Sequence, residues 1–89
     1  MTPIAHDQEP KFTPYLIEIV ETADLIGTGE GSRMCVMDDD GSTYAACRVA
    51  SCRQARRQIQ AWAYEFPIVI ADAYRRVEDH FAGLHARNQ

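Results

Sequence analysis

The chain lacks the features that mark membrane, exported or disulfide-built proteins. Its 89 residues contain no run of about 18 apolar residues, and its first residues have no basic start followed by an apolar core. Its three cysteines follow no framework spacing, so disulfides are not expected. We therefore expect a cytoplasmic protein that does not contact membranes.

The composition is that of one small globular domain. Hydrophobic residues make up 46% of the chain and charged residues 25%, which is too apolar for a disordered protein. Residues 1–12 hold two prolines and no periodic pattern, so we predict a loose N-terminal arm before a single compact domain at 13–89. Because so small a domain buries little surface, its stability is modest or shared with a partner.

The charge is unevenly distributed along the sequence. The formal net charge is −4. Residues 1–46 hold two basic and nine acidic residues, whereas residues 47–89 hold seven basic and four acidic ones. Because the first half is acidic and the second half mildly basic, the net charge is a poor guide to partners.

One apolar stripe at helical spacing dominates the second half. Ser51 and Gln54 have the spacing of a capping box, so a helix should begin at Cys52. The stripe keeps its phase through Pro67, which predicts a long helix or helix pair over 52–86, bent at Pro67 or with Pro67 opening the second helix. The stripe consists of Cys52, Ala55, Ile59, Trp62, Ala63, Phe66, Ile70, Ala73, Tyr74, Val77, Phe81 and Leu84.

Part of this stripe also fits a heptad pattern. A coiled-coil seam between two copies is therefore an alternative, and it would make the protein a structural homodimer. The stripe is wider than a two-stranded seam, which favours a core-facing surface. The heptad positions are Ile59, Ala63, Phe66, Ile70, Ala73, Val77, His80 and Leu84.

A β-hairpin is predicted over 33–49. Strands at 33–38 and 43–49 alternate around Asp40-Gly41, a dipeptide typical of a two-residue loop. This register places Met34 opposite Cys47 and Val36 opposite Ala45. The opposite face would then carry Arg33, Cys35, Met37, Tyr44, Ala46 and Arg48.

The segment before the hairpin fits two structures. Thr13 as N-cap, Pro14 as first residue and Gly27 as terminator favour a helix over 14–26. The β-branched residues of 15–22 favour a strand instead, and a strand would give the hairpin a third partner. We predict the helix, keep the strand as the alternative, and read 27–32 as a flexible connector. The fold class is α+β in either case.

The polar residues form no recognisable catalytic or metal constellation. Asp38–Asp40 lack the alternating acids of an EF-hand, and the glycines at 27, 29 and 31 match no phosphate-binding loop. His80 and His85 are five residues apart, whereas two zinc ligands on one helix usually lie four apart. We expect no enzyme activity, no cofactor and no metal, with Cys52 packed in the core.

Two charged surfaces are candidates for binding. The acidic one consists of Glu18, Glu21, Asp24, Asp38, Asp39 and Asp40. The basic one, which suits phosphates or an acidic protein, consists of Arg48, Arg53, Arg56, Arg57 and Tyr64. A nucleic-acid-binding regulator using the basic surface is the alternative function, weakened by the acidic net charge.

In size, acidity and lack of a catalytic motif, the chain resembles the small anti-CRISPR proteins of phages and mobile elements, with Glu18, Glu21, Asp24 and Asp38–Asp40 as its acid-rich face. The resemblance implies a non-enzymatic inhibitor. Carboxylates would mimic nucleic-acid phosphates in a basic channel of a host protein or nucleoprotein complex and block target binding.

Overall fold

The protein is an α+β fold, as predicted. The computed structural model describes residues 13–22 and 31–87. The strands are β1 (Leu16–Thr22), β2 (Gly31–Met37) and β3 (Thr43–Val49), and the helices are α1 (Cys52–Trp62) and α2 (Ile70–Arg87). The strands form one antiparallel sheet in the order β1-β2-β3. The predicted arm at 1–12, residue Asp24 and connector residues 27–30 lie outside the described residues.

The helix predicted over 14–26 is wrong for residues 16–22, and the strand alternative is confirmed. All seven residues of β1 pair with β2, from Leu16 opposite Met37 to Thr22 opposite Gly31. β-Branched side chains restrict a helix but fit a pleated sheet, and pairing with β2 decides between the two. The start of β2 at Gly31 also corrects the connector prediction, since Gly31 and Ser32 belong to the sheet.

The hairpin is confirmed, and so is its pairing at Met34 and Val36, but its loop differs from the prediction. Met34 lies opposite Cys47 and Val36 opposite Ala45. The loop has three residues, 39–41. The Gly41 N–H donates to the Asp38 carbonyl, and the Asp38 N–H donates to the Ser42 carbonyl. Gly41 has φ 87°, so it takes the left-handed position that closes such a loop.

At the loop end of the hairpin, between Val36 and Met37, the pairing shifts by one residue relative to the rest of the hairpin. Val36 pairs with Ala45 but Met37 pairs with Thr43, so Tyr44 is the extra residue of a β-bulge. The bulge changes the face on which Tyr44 lies. Its ring stacks on Tyr15 and lies 6.4 Å from Phe66, which belongs to the helical layer. The prediction that placed Tyr44 on the opposite face is therefore wrong.

The helix pair is confirmed, with a different role for Pro67. The Ser51 side chain accepts from the Gln54 N–H at 3.1 Å, and the Gln54 side chain accepts from the Ala50 N–H at 2.7 Å. α1 ends at Trp62, and Pro67 lies in the linker three residues before α2. Its carbonyl accepts the Tyr15 N–H at 2.8 Å, so the linker is attached to the sheet.

Both helices cover one face of the sheet. The buried core of this face contains Ile17, Met34, Val36, Val49, Ala55, Ile59, Trp62, Ala73 and Val77. Cys52, Phe66, Tyr74 and Phe81 pack against it, so the core-facing reading of the stripe is confirmed. Ile59, Ala73 and Val77 of the heptad series are buried inside the protein's own core, so these three positions are not free to form a seam with a second copy. The homodimer stays a prediction.

Among the described residues, neither helix combines the length and the hydrophobicity needed to cross a bilayer.

Candidate functional site

The face of the sheet that the helices leave uncovered is the candidate site, and we call it the open face. The register arranges its side chains in three rows across the strands. Leu16 and Val20 are 46% and 43% exposed, whereas Cys35, at the centre, is 4% exposed. The rows are Leu16–Met37–Thr43, Glu18–Cys35–Ala46 and Val20–Arg33–Arg48.

The open face is electrically polarised along the strands. Arg33 and Arg48 lie directly opposite each other at one end, and neither forms an ion pair within the described residues. The Arg48 guanidinium donates to Thr22 Oγ1 at 3.2 Å across the position of Gly31, where no side chain intervenes. Glu18 lies in the middle row, and the row at the other end adjoins the acidic hairpin tip. Like charges in direct opposition repel, so the arginine pair favours an anionic partner.

The hairpin tip is the acidic group Asp38–Asp40, which we call the acidic tip. The Asp38 carboxylate accepts from the Asp40 and Ser42 N–H groups at 3.0 and 2.9 Å and from the Tyr44 hydroxyl at 2.7 Å. The hydrogen bond from Tyr44 is the largest cause that holds the pKa of Asp38 below its ordinary value. The same bond raises the pKa of Tyr44 to about 12. The Asp38 side chain is therefore ionised, and its hydrogen bonds hold it in one position.

An aromatic cluster supports the acidic tip from the helical side. The Tyr15 and Tyr44 rings stack with centroids 4.8 Å apart and planes 5° from parallel. Phe66 approaches the Tyr15 ring at 5.9 Å. Because Tyr15 directly precedes β1, Tyr44 belongs to β3 and Phe66 to the linker, the tip is connected to the whole layer rather than to the hairpin alone.

The predicted acidic surface is only partly assembled. Glu18 lies on the open face, two positions along β1 from Leu16, whose row adjoins the tip. Glu21 lies at the far end of β1, where its carboxylate accepts from Arg87 of α2 at 2.6 Å. The structure therefore does not bring Glu21 together with the acidic tip, and its role in partner binding stays a prediction. Asp24 lies outside the described residues.

The predicted basic surface is divided by the sheet. Arg48 is on the open face, whereas the other arginines are on α1, which packs against the opposite face. Arg56 is paired with Glu78 of α2 at 3.5 Å. Arg53 and Arg57 form no ion pair within the described residues. Together with Tyr64, which is 92% exposed, they make up what we call the arginine stripe.

The structure shows one buried polar pair that the sequence did not reveal. Ser32 Oγ lies 2.7 Å from Nε2 of His80, and Ser32 is only 1% exposed. Burial is the main cause that lowers the pKa of His80, while the nearby Glu21 carboxylate raises it and Arg87 lowers it. A substrate cannot reach this hydroxyl where it lies, so we interpret the pair as a bond between β2 and α2. No local motif signals it, because 48 residues separate the two.

The three cysteines lie within the sheet and the first helix. Cys35, Cys47 and Cys52 are free thiols, and Cys35 and Cys47 lie on opposite faces, as predicted. Burial is the largest cause that raises the pKa of Cys47.

Oxygens of the three acidic-tip carboxylates lie within 4.8 Å of one another. Exposed acids are often this close without an ion, and the absence of a metal and of a cofactor stays a prediction.

In comparisons with known proteins, no family model, curated protein or solved structure matches this chain. The functional argument therefore depends on the open face, the acidic tip and the arginine stripe.

Proposed function

We propose that the protein is a non-enzymatic, protein-binding inhibitor of the anti-CRISPR-like kind. The acidic tip and the adjoining open face would dock on a basic surface of a host protein or nucleoprotein complex. The observation that carries the proposal is the Asp38 carboxylate, which three hydrogen bonds hold in place, with two further exposed carboxylates beside it at the end of the open face. We place this activity in the cytoplasm.

The geometry suits charge recognition because little order has to be gained on binding. A flexible acidic loop loses conformational freedom when it docks, which reduces its affinity. Three hydrogen bonds to Asp38 and the stacked tyrosines already hold this tip in place. Leu16 and Met37 adjoin it and supply apolar area of the kind found at the centre of protein interfaces.

The test is an affinity capture from a nuclease-treated lysate of the host cell. Asp39→Asn and Asp40→Asn together remove two charges at nearly constant shape, and Arg53→Gln with Arg57→Gln is the matched control on α1. We expect a defined protein complex to be retained by the wild-type and the arginine variant, and to fall about tenfold or more with the aspartate variant. Equal recovery with the aspartate variant would contradict the proposal.

A second candidate function is binding of single-stranded nucleic acid by the arginine stripe. The observation that favours it is the 92% exposure of Tyr64, whose ring is free to stack on a base. Arg57, which has no ion pair among the described residues, lines the same surface depression. Fluorescence anisotropy with a labelled oligonucleotide checks this function. Tyr64→Ala should weaken such binding several-fold, and binding should fall steeply with salt.

A further inference from the structure

The outer edge of β1 has free backbone hydrogen-bonding groups. Within the described residues, β1 forms a strand ladder with β2 alone, and one bridge joins Tyr15 to Ile68 of the linker. The Tyr15 N–H points away from β2, because it donates to the Pro67 carbonyl. Backbone groups alternate in direction along an antiparallel strand, so the N–H and C=O groups of Ile17, Ile19 and Glu21 also point outward. Ile17 is only 2% exposed, so the accessible groups of this edge are those of Ile19 and Glu21.

A groove follows this edge. β1 forms one side, and α2 forms the other with side chains of alternating charge. Two adjoining depressions of about 530 and 370 Å³ share Ile17, Arg76 and Asp79. Ile68 and Val69 of the linker line the end near Tyr15. The bridge from the linker shows that this edge already accepts backbone pairing, and the groove beyond it has room for a longer segment.

The side chains of β1 specify what that segment should carry. On the open face, β1 presents Leu16, Glu18 and Val20, that is, an exposed acid between two half-exposed aliphatic residues. Glu18 has no ion pair or hydrogen-bond partner among the described residues. Directly opposed side chains of paired strands interact, so the complementary strand has the pattern apolar, basic, apolar at alternate positions.

The other edge of the sheet is less suited to pairing. β3 carries the bulge at Tyr44, and a bulge breaks the regular alternation that an added strand needs. Its open-face side chains are Thr43, Ala46 and Arg48. The β1 edge, in contrast, runs for seven residues without a register shift.

We propose that the free edge of β1 is a strand-addition site for an extended segment of a partner protein. The segment pairs antiparallel with Ile19 and Glu21 and places an apolar, a basic and an apolar side chain over Val20, Glu18 and Leu16. This site shares Leu16 with the docking surface proposed above but does not include the acidic tip, and its test does not depend on the inhibitory role.

The experiment titrates the full chain, labelled with ¹⁵N, with a blocked heptapeptide of sequence Thr-Val-Thr-Lys-Thr-Val-Thr. We expect saturable amide shifts along β1, with slower solvent exchange at Ile19 and Glu21. In the antiparallel register, the first and third peptide residues bond to Glu21 and Ile19 of β1. N-Methylation of those two amides should abolish binding, whereas N-methylation of the second and sixth should preserve it. Equal binding of both methylated peptides would overturn the proposal, as would shifts confined to β3 or none at millimolar peptide.

A charge exchange tests the side-chain pattern. Replacing the central lysine of the peptide by glutamate should weaken its binding to the wild-type protein roughly threefold, and Glu18→Lys should reverse that preference. Glu65→Lys makes the same charge change at an exposed position outside the groove and should leave the preference as it is. If Glu18→Lys and Glu65→Lys had the same effect, the assigned register would be wrong.

Discussion

The two faces of the sheet differ in what they contribute. On the helix-covered face, large side chains such as Met34, Ile59 and Val77 are completely buried. On the open face, Leu16 and Val20 are nearly half exposed, and two arginines oppose each other without a carboxylate. The first arrangement stabilises the fold, whereas the second leaves favourable contacts unmade. This difference shows that the helical side stabilises the fold, and it supports our proposal that the open side binds partners.

The largest predicted effect on stability comes from truncating one side chain on each face of the sheet. Ile59→Ala should lower the free energy of unfolding by about 3 to 4 kcal/mol, because it leaves a cavity under α1. Val20→Ala on the open face should lower it by about 1 kcal/mol or less. Urea denaturation of the two variants checks both values. Equal losses would show that the open face is part of the core.

The second prediction concerns the bond between β2 and α2. Ser32→Ala should lower the free energy of unfolding by about 1 to 2 kcal/mol, because it leaves a half-buried His80 nitrogen without its partner. Ser42→Ala, at the exposed hairpin, should change it by only a few tenths of a kcal/mol. The same denaturation experiment applies, and equal effects of the two variants would rule out a stabilising Ser32–His80 bond.

The third prediction tests the backbone of the acidic tip. Gly41→Ala should lower stability by about 1 kcal/mol, because φ is 87° there and an L side chain is strained at that angle. Gly83→Ala is the matched control within α2, where an added methyl group meets nothing within 4 Å, and it should raise stability by about 0.5 to 1 kcal/mol. Thermal unfolding separates them, since the two shifts have opposite signs.

The fourth prediction is a pH dependence of the helical side. The folded-state pKa of His80 is below its ordinary value, so the unfolded chain takes up this proton first as the pH falls. Stability should therefore be full above pH 6.5 and decrease as the pH falls through the folded-state pKa. His80 is packed against Ser32 of β2 and Phe81 of α2, with Glu21 and Arg87 nearby.

His80→Gln isolates this contribution, because the other titrating groups stay. The difference in free energy of unfolding between wild-type and variant should shrink on acidification by less than about 1 kcal/mol. A difference that is constant from pH 7.5 to pH 5 would show that His80 is not coupled to folding.

The smallest predicted effect concerns the opposed arginines. Arg33→Thr should raise stability by a few tenths of a kcal/mol, because it removes a like-charge contact with Arg48. The gain should shrink in 1 M NaCl, where charges are screened. A salt-independent change would mean that β-propensity rather than repulsion causes it.

Local signals made part of this structure predictable. The capping box at Ser51 and the alternation on either side of Gly41 depend on residues close in sequence, and both gave the right element. β1 was mispredicted because cap and terminator residues favoured a helix, while pairing with β2 decided the outcome. Tyr44 was placed on the wrong face because one bulge reverses the alternation.

The candidate site was predictable only in part. Asp38–Asp40 and Glu18 were recognised from charge, but the acidic group was divided because Glu21 pairs with Arg87, 66 residues away. The basic group was divided because Arg48 and the α1 arginines are close in sequence yet lie on opposite sides of the sheet. Sequence proximity says little about which face of a two-layer fold a residue occupies.

The central claim is that partners bind on the open side, not on the helices. The most direct measurement is hydrogen–deuterium exchange of the full chain, alone and with the protein complex captured from the host lysate. We predict new protection at β1 and at the acidic tip, with the exchange of α1 unchanged. New protection over Arg53–Tyr64, with none in the sheet, would contradict the account and assign function to the arginine stripe.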